Sequence, residues 1–297
     1  MIVHLVDGTY ELYRQHYGQA VRSSEPSPNA ATVGVLNSTF QLLADGATYI
    51  GVATDHVIES FRNELWSGYK TSDGMEAEIL TQIPILEEAL RSMGVAVWPM
   101  EEYEADDALG SAAEVAARDK RVEQVQIFSP DKDLGQCVRG QRVVQIDRRK
   151  MAKDGTGLID EDAVRAKFGV GPTSIADWLG LVGDTADGFP GLSGWGAKSA
   201  SAVLARYERI ENVPDDVSDW DVPGLRGAAK LAEALSSQRE LAYLFRTVAT
   251  IVTTVPVGTV DDWKWTGPRE DFREFCADLG APRLADRVAG LASSRRR

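Results

Sequence analysis

Acidic residues gather at a few places along this chain: Glu104, Asp106 and Asp107 in YEADDALG, Asp131 and Asp133 in SPDKDL, and Asp184 and Asp187 in LVGDTADG. Asp7 and Asp55 join them, each closing a short apolar run. Carboxylates are the hard oxygen donors that Mg2+ and Mn2+ prefer. Two such cations about 3.5–4 Å apart can activate a water, stabilise a leaving oxygen and neutralise the charge around phosphorus. Phosphodiester hydrolysis needs each of these.

Every cluster also has a plainer reading. Glu104, Asp106 and Asp107 suit the positive end of a helix dipole, DKD suits an ordinary turn, and GDTAD suits Asx turns supporting a hairpin. What favours chemistry is their joint occurrence. Glu104 and Asp107 stand one helical turn apart on a shared face, and like charges crowded at one end of a sheet repel unless cations sit among them.

The elements that must carry these acids follow from pattern. Short β-branched runs recur, IVHLV before Asp7, YIGVAT before Asp55, VAVWPM before EEYEADD, VQIFS before PDKD and VVQI before Asp147, with helical spacing between them. Strands alternating with helices predict an α/β fold with a largely parallel central sheet flanked by helices. In such sheets ligands bind beyond the carboxyl ends of the strands, which is where Asp7, Asp55, Asp131 and Asp133 fall. Past about residue 158 the strand signal fades into helices, so the sequence divides into an α/β domain, 1–158, and a helical region, 159–297. Between two of those helices lies GDTADGFPGLSGWG, a turn dense in Gly and Asp, and residues 213–224 read as an irregular connection.

Of the 297 residues, 43% are hydrophobic and 26% charged, which marks a globular chain with no membrane-spanning run. The opening carries no basic leader, and a cytoplasmic protein is expected. Cys137 and Cys276 lie far apart, and His4, His16 and His56 form no zinc pattern, so disulfide and zinc sites are not encoded. A net charge of −13 opposes a phosphate partner at first sight. Bound divalent cations would reverse that sign locally. The closing SSRRR reads as a frayed tail.

In these motifs the chain resembles the bacterial 5′ nuclease family, in family order: LVDGTYELYR, FRNELWSGYK, YEADDALG, SPDKDLGQCV and LVGDTADGFPGLSGWGAKSA. The resemblance covers roughly residues 1–210. It implies a PIN-like nuclease fold with a C-terminal helix-three-turn-helix element, acting as a 5′-3′ exonuclease and flap endonuclease. It also implies that Asp7, Asp55, Glu104, Asp106, Asp107, Asp131, Asp133, Asp184 and Asp187 hold two or three Mg2+ or Mn2+ ions. Lys70 and Arg62 are then donors to the scissile phosphate, and Tyr69 a stacking face for the terminal base. Gly191, Gly194, Gly196, Lys198 and Ser199 would grip a duplex strand through exposed amides and a helix start, with K+ at that element. Trp195 is expected to pack the turn.

The chain departs from the family pattern at four places. Asp73 replaces a basic residue, the stretch TSDGMEAEILTQIPI carries acids and no base, Pro130 replaces a Gly, and Gly188 replaces an Asn. The expected partner is DNA with short flaps, nicks, gaps or recessed 5′ ends, bound by a monomer with a shallow dependence on salt. Other readings are a ribonuclease or RNase H activity on the same acids, or a flap-binding protein without turnover. A nucleotide hydrolase fails on spacing, because Ala197 separates Gly196 from Lys198 where a phosphate loop needs Lys directly after Gly.

Overall fold

The computed structural model describes residues 1–20 and 27–296. By internal contacts the chain falls into two compact units, the first made of Met1–Ile58, Ser72–Ser129 and Val252–Arg297, the second of Glu59–Thr71 and Pro130–Ile251.

The first unit is built on four parallel strands, β1 (Ile2–Asp7), β2 (Tyr49–Asp55), β3 (Ala96–Met100) and β4 (Gln124–Phe128), in the order β3-β2-β1-β4. Val3, Leu5 and Val6 of β1 and Ile50, Val52 and Ala53 of β2 are buried. Strands apolar on both faces must be covered on both, and helices between consecutive strands do so. Register places Asp7 opposite Ala53 and Asp55 opposite Met100, so both acids sit at the carboxyl edge. Gly8 starts the next helix there because a Cβ would meet the Ala53 carbonyl oxygen at 2.8 Å.

The segment from Val252 onward packs with this first unit. The reason is aromatic. Trp98 Nε1 donates to the Val257 carbonyl at 3.1 Å, and the Trp98 ring meets Trp263 edge-on at 5.3 Å between centroids. Trp98 also lies where a side chain on Gly51 would be, 2.1 Å from its Cβ position. The run SSRRR is not a frayed tail as far as it is described: it ends the helix Pro282–Arg295, and Arg295 caps the carbonyls of Leu43 and Ala47. Arg297 lies outside the described residues.

The second unit has a short antiparallel pair, β5 (Val143–Ile146) and β6 (Leu158–Ile159). Helices Ile175–Val182, Ala197–Tyr207, Ala228–Ser237 and Arg239–Ala249 enclose a core that includes Leu179, Leu181, Phe189, Val203, Leu204 and Phe245. Phe189 stacks on Phe245 at 5.7 Å, fastening the glycine-rich turn to the helix Arg239–Ala249. Among the described residues no helix is long and apolar enough to cross a membrane.

Candidate metal centre

In the first unit the strand-end acids are held by short backbone bonds. Asp7 Oδ1 accepts the Tyr10 amide at 2.8 Å and its Oδ2 accepts the Ser129 hydroxyl at 2.9 Å. Asp55 Oδ1 accepts the Ala105 amide at 2.8 Å, and its own amide donates to Thr9 Oγ1 at the same distance. Glu104 and Asp107 form a capping box on the helix Ala105–Arg118. Asp107, fully buried, also accepts the Val252 amide on Oδ1 at 2.8 Å, so for these two residues the helix-capping reading holds. Asp106 is half-buried in the same first turn.

The second unit brings acids together. Asp133, Asp184 and Asp187 each offer a carboxylate oxygen within 4.8 Å of the others, the one group of its kind among the described residues. Asp133 follows β4 through SPDKD and opens a short 3-10 turn, Asp133–Cys137. Asp184 begins a hairpin in which Asp184 and Phe189 exchange backbone hydrogen bonds of 2.8 and 3.0 Å. The Asx-turn reading is also right, since Asp184 Oδ1 accepts the Ala186 amide at 3.0 Å, but the turn's effect is to aim two carboxylates at Asp133. Asp131 stands on the rim, exposed, with Oδ1 accepting the Asp133 amide at 3.0 Å.

The electrostatics of that group are those of a cation site. Asp133 Oδ1 is buried and has no hydrogen-bond partner, a costly state for an ionised oxygen. Burial, then the charges of Asp131, Asp187 and Asp184, hold the Asp133 carboxyl well above the ordinary range. A purely oxygen donor set with an orphaned buried oxygen fits a divalent metal ion.

Two lysines border the acids. Lys70 Nζ lies 3.0 Å from Asp187 Oδ1, and Lys132 Nζ lies 2.6 Å from Asp184 Oδ2. Burial pulls the Lys132 ammonium down, but the Asp184 hydrogen bond and charge more than reverse it and raise it overall. Lys132 escaped the sequence reading although it stands inside SPDKDL; its place between two acids was the available signal.

Lys70 is positioned by backbone. Its amide donates to the Asp187 carbonyl at 3.0 Å, and Asn63 Nδ2 donates to its carbonyl at 3.0 Å. Gly188 explains one departure from the family pattern: its φ is +83°, and a Cβ there would meet the Gly68 carbonyl oxygen at 2.0 Å. The family's Asn has no room.

Two sequence expectations are corrected. Tyr69 is buried at 4% exposure within the second unit's core, so its ring packs and is no open stacking face. Arg62 is 3% exposed; its Nε donates to the Val248 carbonyl at 2.7 Å and its Nη2 to the Thr250 carbonyl at 2.9 Å, the bonds of a structural clamp. It ties the segment Glu59–Thr71 to the end of the helix Arg239–Ala249.

The glycine-rich turn divides by role. Gly191, at φ +68°, presses on the end of the helix Ile175–Val182, where a Cβ would lie 2.4 Å from Val182 and Gly183 backbone atoms. Gly194 and Gly196 instead have open space beside them. Lys198 is exposed at the start of the helix Ala197–Tyr207, and Ser199 Oγ accepts the Gly196 amide at 3.0 Å. Trp195 packs, as expected, donating to the Leu231 carbonyl at 3.2 Å.

Two family models match consecutive parts of the chain: "5′-3′ exonuclease, N-terminal resolvase-like domain" over residues 2–169 and "5′-3′ exonuclease, C-terminal SAM fold" over residues 170–271. The chain is 32% identical over 274 residues to DNA polymerase I of Pseudomonas aeruginosa, covering 89% of this chain and 28% of that protein. It is 31% identical over 222 residues to a 5′-3′ exonuclease of Aquifex aeolicus, covering 74% and 73%. It spans about a third of the length of the DNA polymerase I relatives, 32% for that of Bacillus subtilis. Among solved structures, T5 5′-exonuclease with bound zinc aligns at TM-score 0.65 and 15% identity over 99% of each chain. The catalytic core of Rad2 with DNA substrate aligns at 0.62 and 15%, over 97% of this chain and 91% of that one. At such identity these likenesses establish the fold.

Proposed function

The chain belongs to the 5′-3′ exonuclease family, and from that premise we propose that it is a divalent-metal-dependent 5′ nuclease hydrolysing DNA phosphodiester bonds at flaps, nicks, gaps or recessed 5′ ends. The observation that carries this reading is the convergence of Asp133, Asp184 and Asp187 around an unpartnered buried oxygen, with Lys70 bonded to one of them.

Asp133, Asp184 and Asp187, with Asp131 on the rim, would hold one Mg2+ or Mn2+ ion. Asp7, Asp55, Glu104, Asp106 and Asp107 are the further ligands implied by the family, for two or three ions in all. The ions, when bound, lower the pKa of water and neutralise the phosphate. This chain's own residues do the rest. Asp184 and Asp187, fixed by their hairpin, hold position without reorganising, and Lys70 supplies a fixed positive charge where charge develops on the phosphate. Gly194 and Gly196, with Lys198 and Ser199, would take a duplex strand, and K+ would lie at that turn. We assign it as a monomer acting in the cytoplasm.

Incubating a 5′-labelled flap substrate with the protein and Mg2+ tests the proposal: cleavage near the junction is expected, abolished by excess EDTA. Cutting that persists in EDTA would overturn it. Graded flap lengths extend the same assay. Asp73 and Glu78 offer a threaded strand only negative charge, and Glu76 is tied to His16 Nε2 at 2.9 Å, so lengthening the flap should add little rate.

A further inference from the structure

The second unit carries a groove of about 1140 Å³ whose walls come from two places in the sequence. One wall is the turn and helix start Ser193–Ser199, with Lys198. The other is Pro223–Gln238, with Arg226 and Lys230, which no sequence motif singled out.

The side chains of Lys198, Arg226 and Lys230 are exposed. Among the described residues no carboxylate pairs with any of them. Their neighbours in the same unit differ: Arg206 pairs with Asp221, Arg239 with Asp215, and Arg246 with Asp177 and Glu211. Glu233 is the one acid in the groove lining. In a chain of net charge −13, three unneutralised cations facing a single cavity are a local reversal of sign. A polyanion is what such a reversal attracts.

The shape suits a backbone more than a side chain. Gly194, Gly224 and Gly227 all have positive φ and nothing within 4 Å of a built Cβ, and Gly196 is equally open. A sugar-phosphate chain can therefore lie against bare main chain on both walls. The helices Ala197–Tyr207 and Ala228–Ser237 also both begin in this lining, adding amide donors to the cationic side chains.

We propose that this groove seats one strand of duplex DNA between two walls, with Arg226 and Lys230 contacting phosphates opposite those held by Lys198 and the glycine turn. The inference rests on the proposed nuclease function and adds residues to its duplex grip. It changes one expectation: the sequence offers a single lysine and a shallow salt dependence, whereas three phosphate contacts steepen the slope of log affinity against log salt to about −2.7, at about 0.9 per phosphate.

The experiment uses the full chain in EDTA, so that nothing is cut, and a fluorescently labelled nicked duplex as probe. Dissociation constants are measured from about 50 to about 200 mM salt. The variant R226A/K230A is expected to bind several-fold more weakly and to lose about two units of slope, one per contact. R226K/K230R, which keeps both charges, should retain the wild-type slope. K150A/K153A removes the same net charge from the helix Arg148–Asp154, away from the groove lining, and should leave the slope unchanged. Circular dichroism confirms that each variant is folded, and R226Q/K230Q replaces the alanine pair if it is not. A wild-type slope in R226A/K230A, or an equal fall in K150A/K153A, would overturn the groove while leaving the nuclease reading intact. Failure of the wild type to bind any nicked or flapped duplex would overturn both.

Discussion

The Lys132 ammonium stands 2.6 Å from Asp184 Oδ2, so a cation built into the chain already occupies one of the three converging carboxylates. A divalent ion taking Asp184 Oδ2 would compete with it. Lys132 is 34% exposed and Asp184 4%, and after the cost of desolvating the buried charge such a pair contributes about 1 kcal/mol. K132M should therefore bind Mn2+ more tightly by up to about fivefold, measured by titration calorimetry. Weaker binding would mean that Lys132 orients Asp184 for the metal and does not compete with it.

Asp133 sets a pH dependence on the metal-free chain. Its folded carboxyl is held above the unfolded value by burial and by Asp131, Asp187 and Asp184, so the folded state binds the proton more tightly. The stability this gives is complete below the unfolded pKa, near 4, and is lost as pH rises through the higher folded value. D133N, which cannot ionise, should melt several degrees higher than wild type at neutral pH in EDTA. The advantage should vanish below about pH 4. An equal melting temperature at both pH values would show that Asp133 is not strained by its charge.

Lys70, bonded to Asp187 through both side chain and backbone, should act on the chemical step. Removing a preorganised charge of this kind costs about a hundredfold or more in rate. K70A is expected to show that loss in single-turnover cleavage at saturating enzyme, with DNA affinity changed little. The reverse pattern would make Lys70 a binding contact.

Gly188 tests the backbone beneath the site. With Gly68 O only 2.0 Å from where a Cβ would stand, G188N cannot be accommodated by a side-chain rotation, and the segment bearing Lys70 must shift. A stability loss of about 1–3 kcal/mol is expected, together with a fall in single-turnover rate. An unchanged melting curve with full activity would refute the close approach.

Much of this protein was legible in its sequence because the information was local. β-branched runs separated by helical spacing gave the parallel strands, and Asp7 and Asp55 at the ends of such runs fell at the carboxyl edge that register now places opposite Ala53 and Met100. The acidic motifs and their family order pointed to the metal-dependent chemistry proposed for the chain. What neighbours in sequence could not say was which groups would meet. Asp133 and Asp184 converge only because a hairpin and a 3-10 turn some fifty residues apart are packed on one core. Tyr69 and Arg62 looked like surface groups in a polar motif, yet they are buried by the helices of residues 175–182 and 239–249, elements far along the chain. Arg226 and Lys230 carry no motif at all, and their place opposite Lys198 was set by packing. Side-chain type and short-range period are written residue by residue, whereas burial and convergence are properties of contacts between distant segments, and those exist only once the chain has folded.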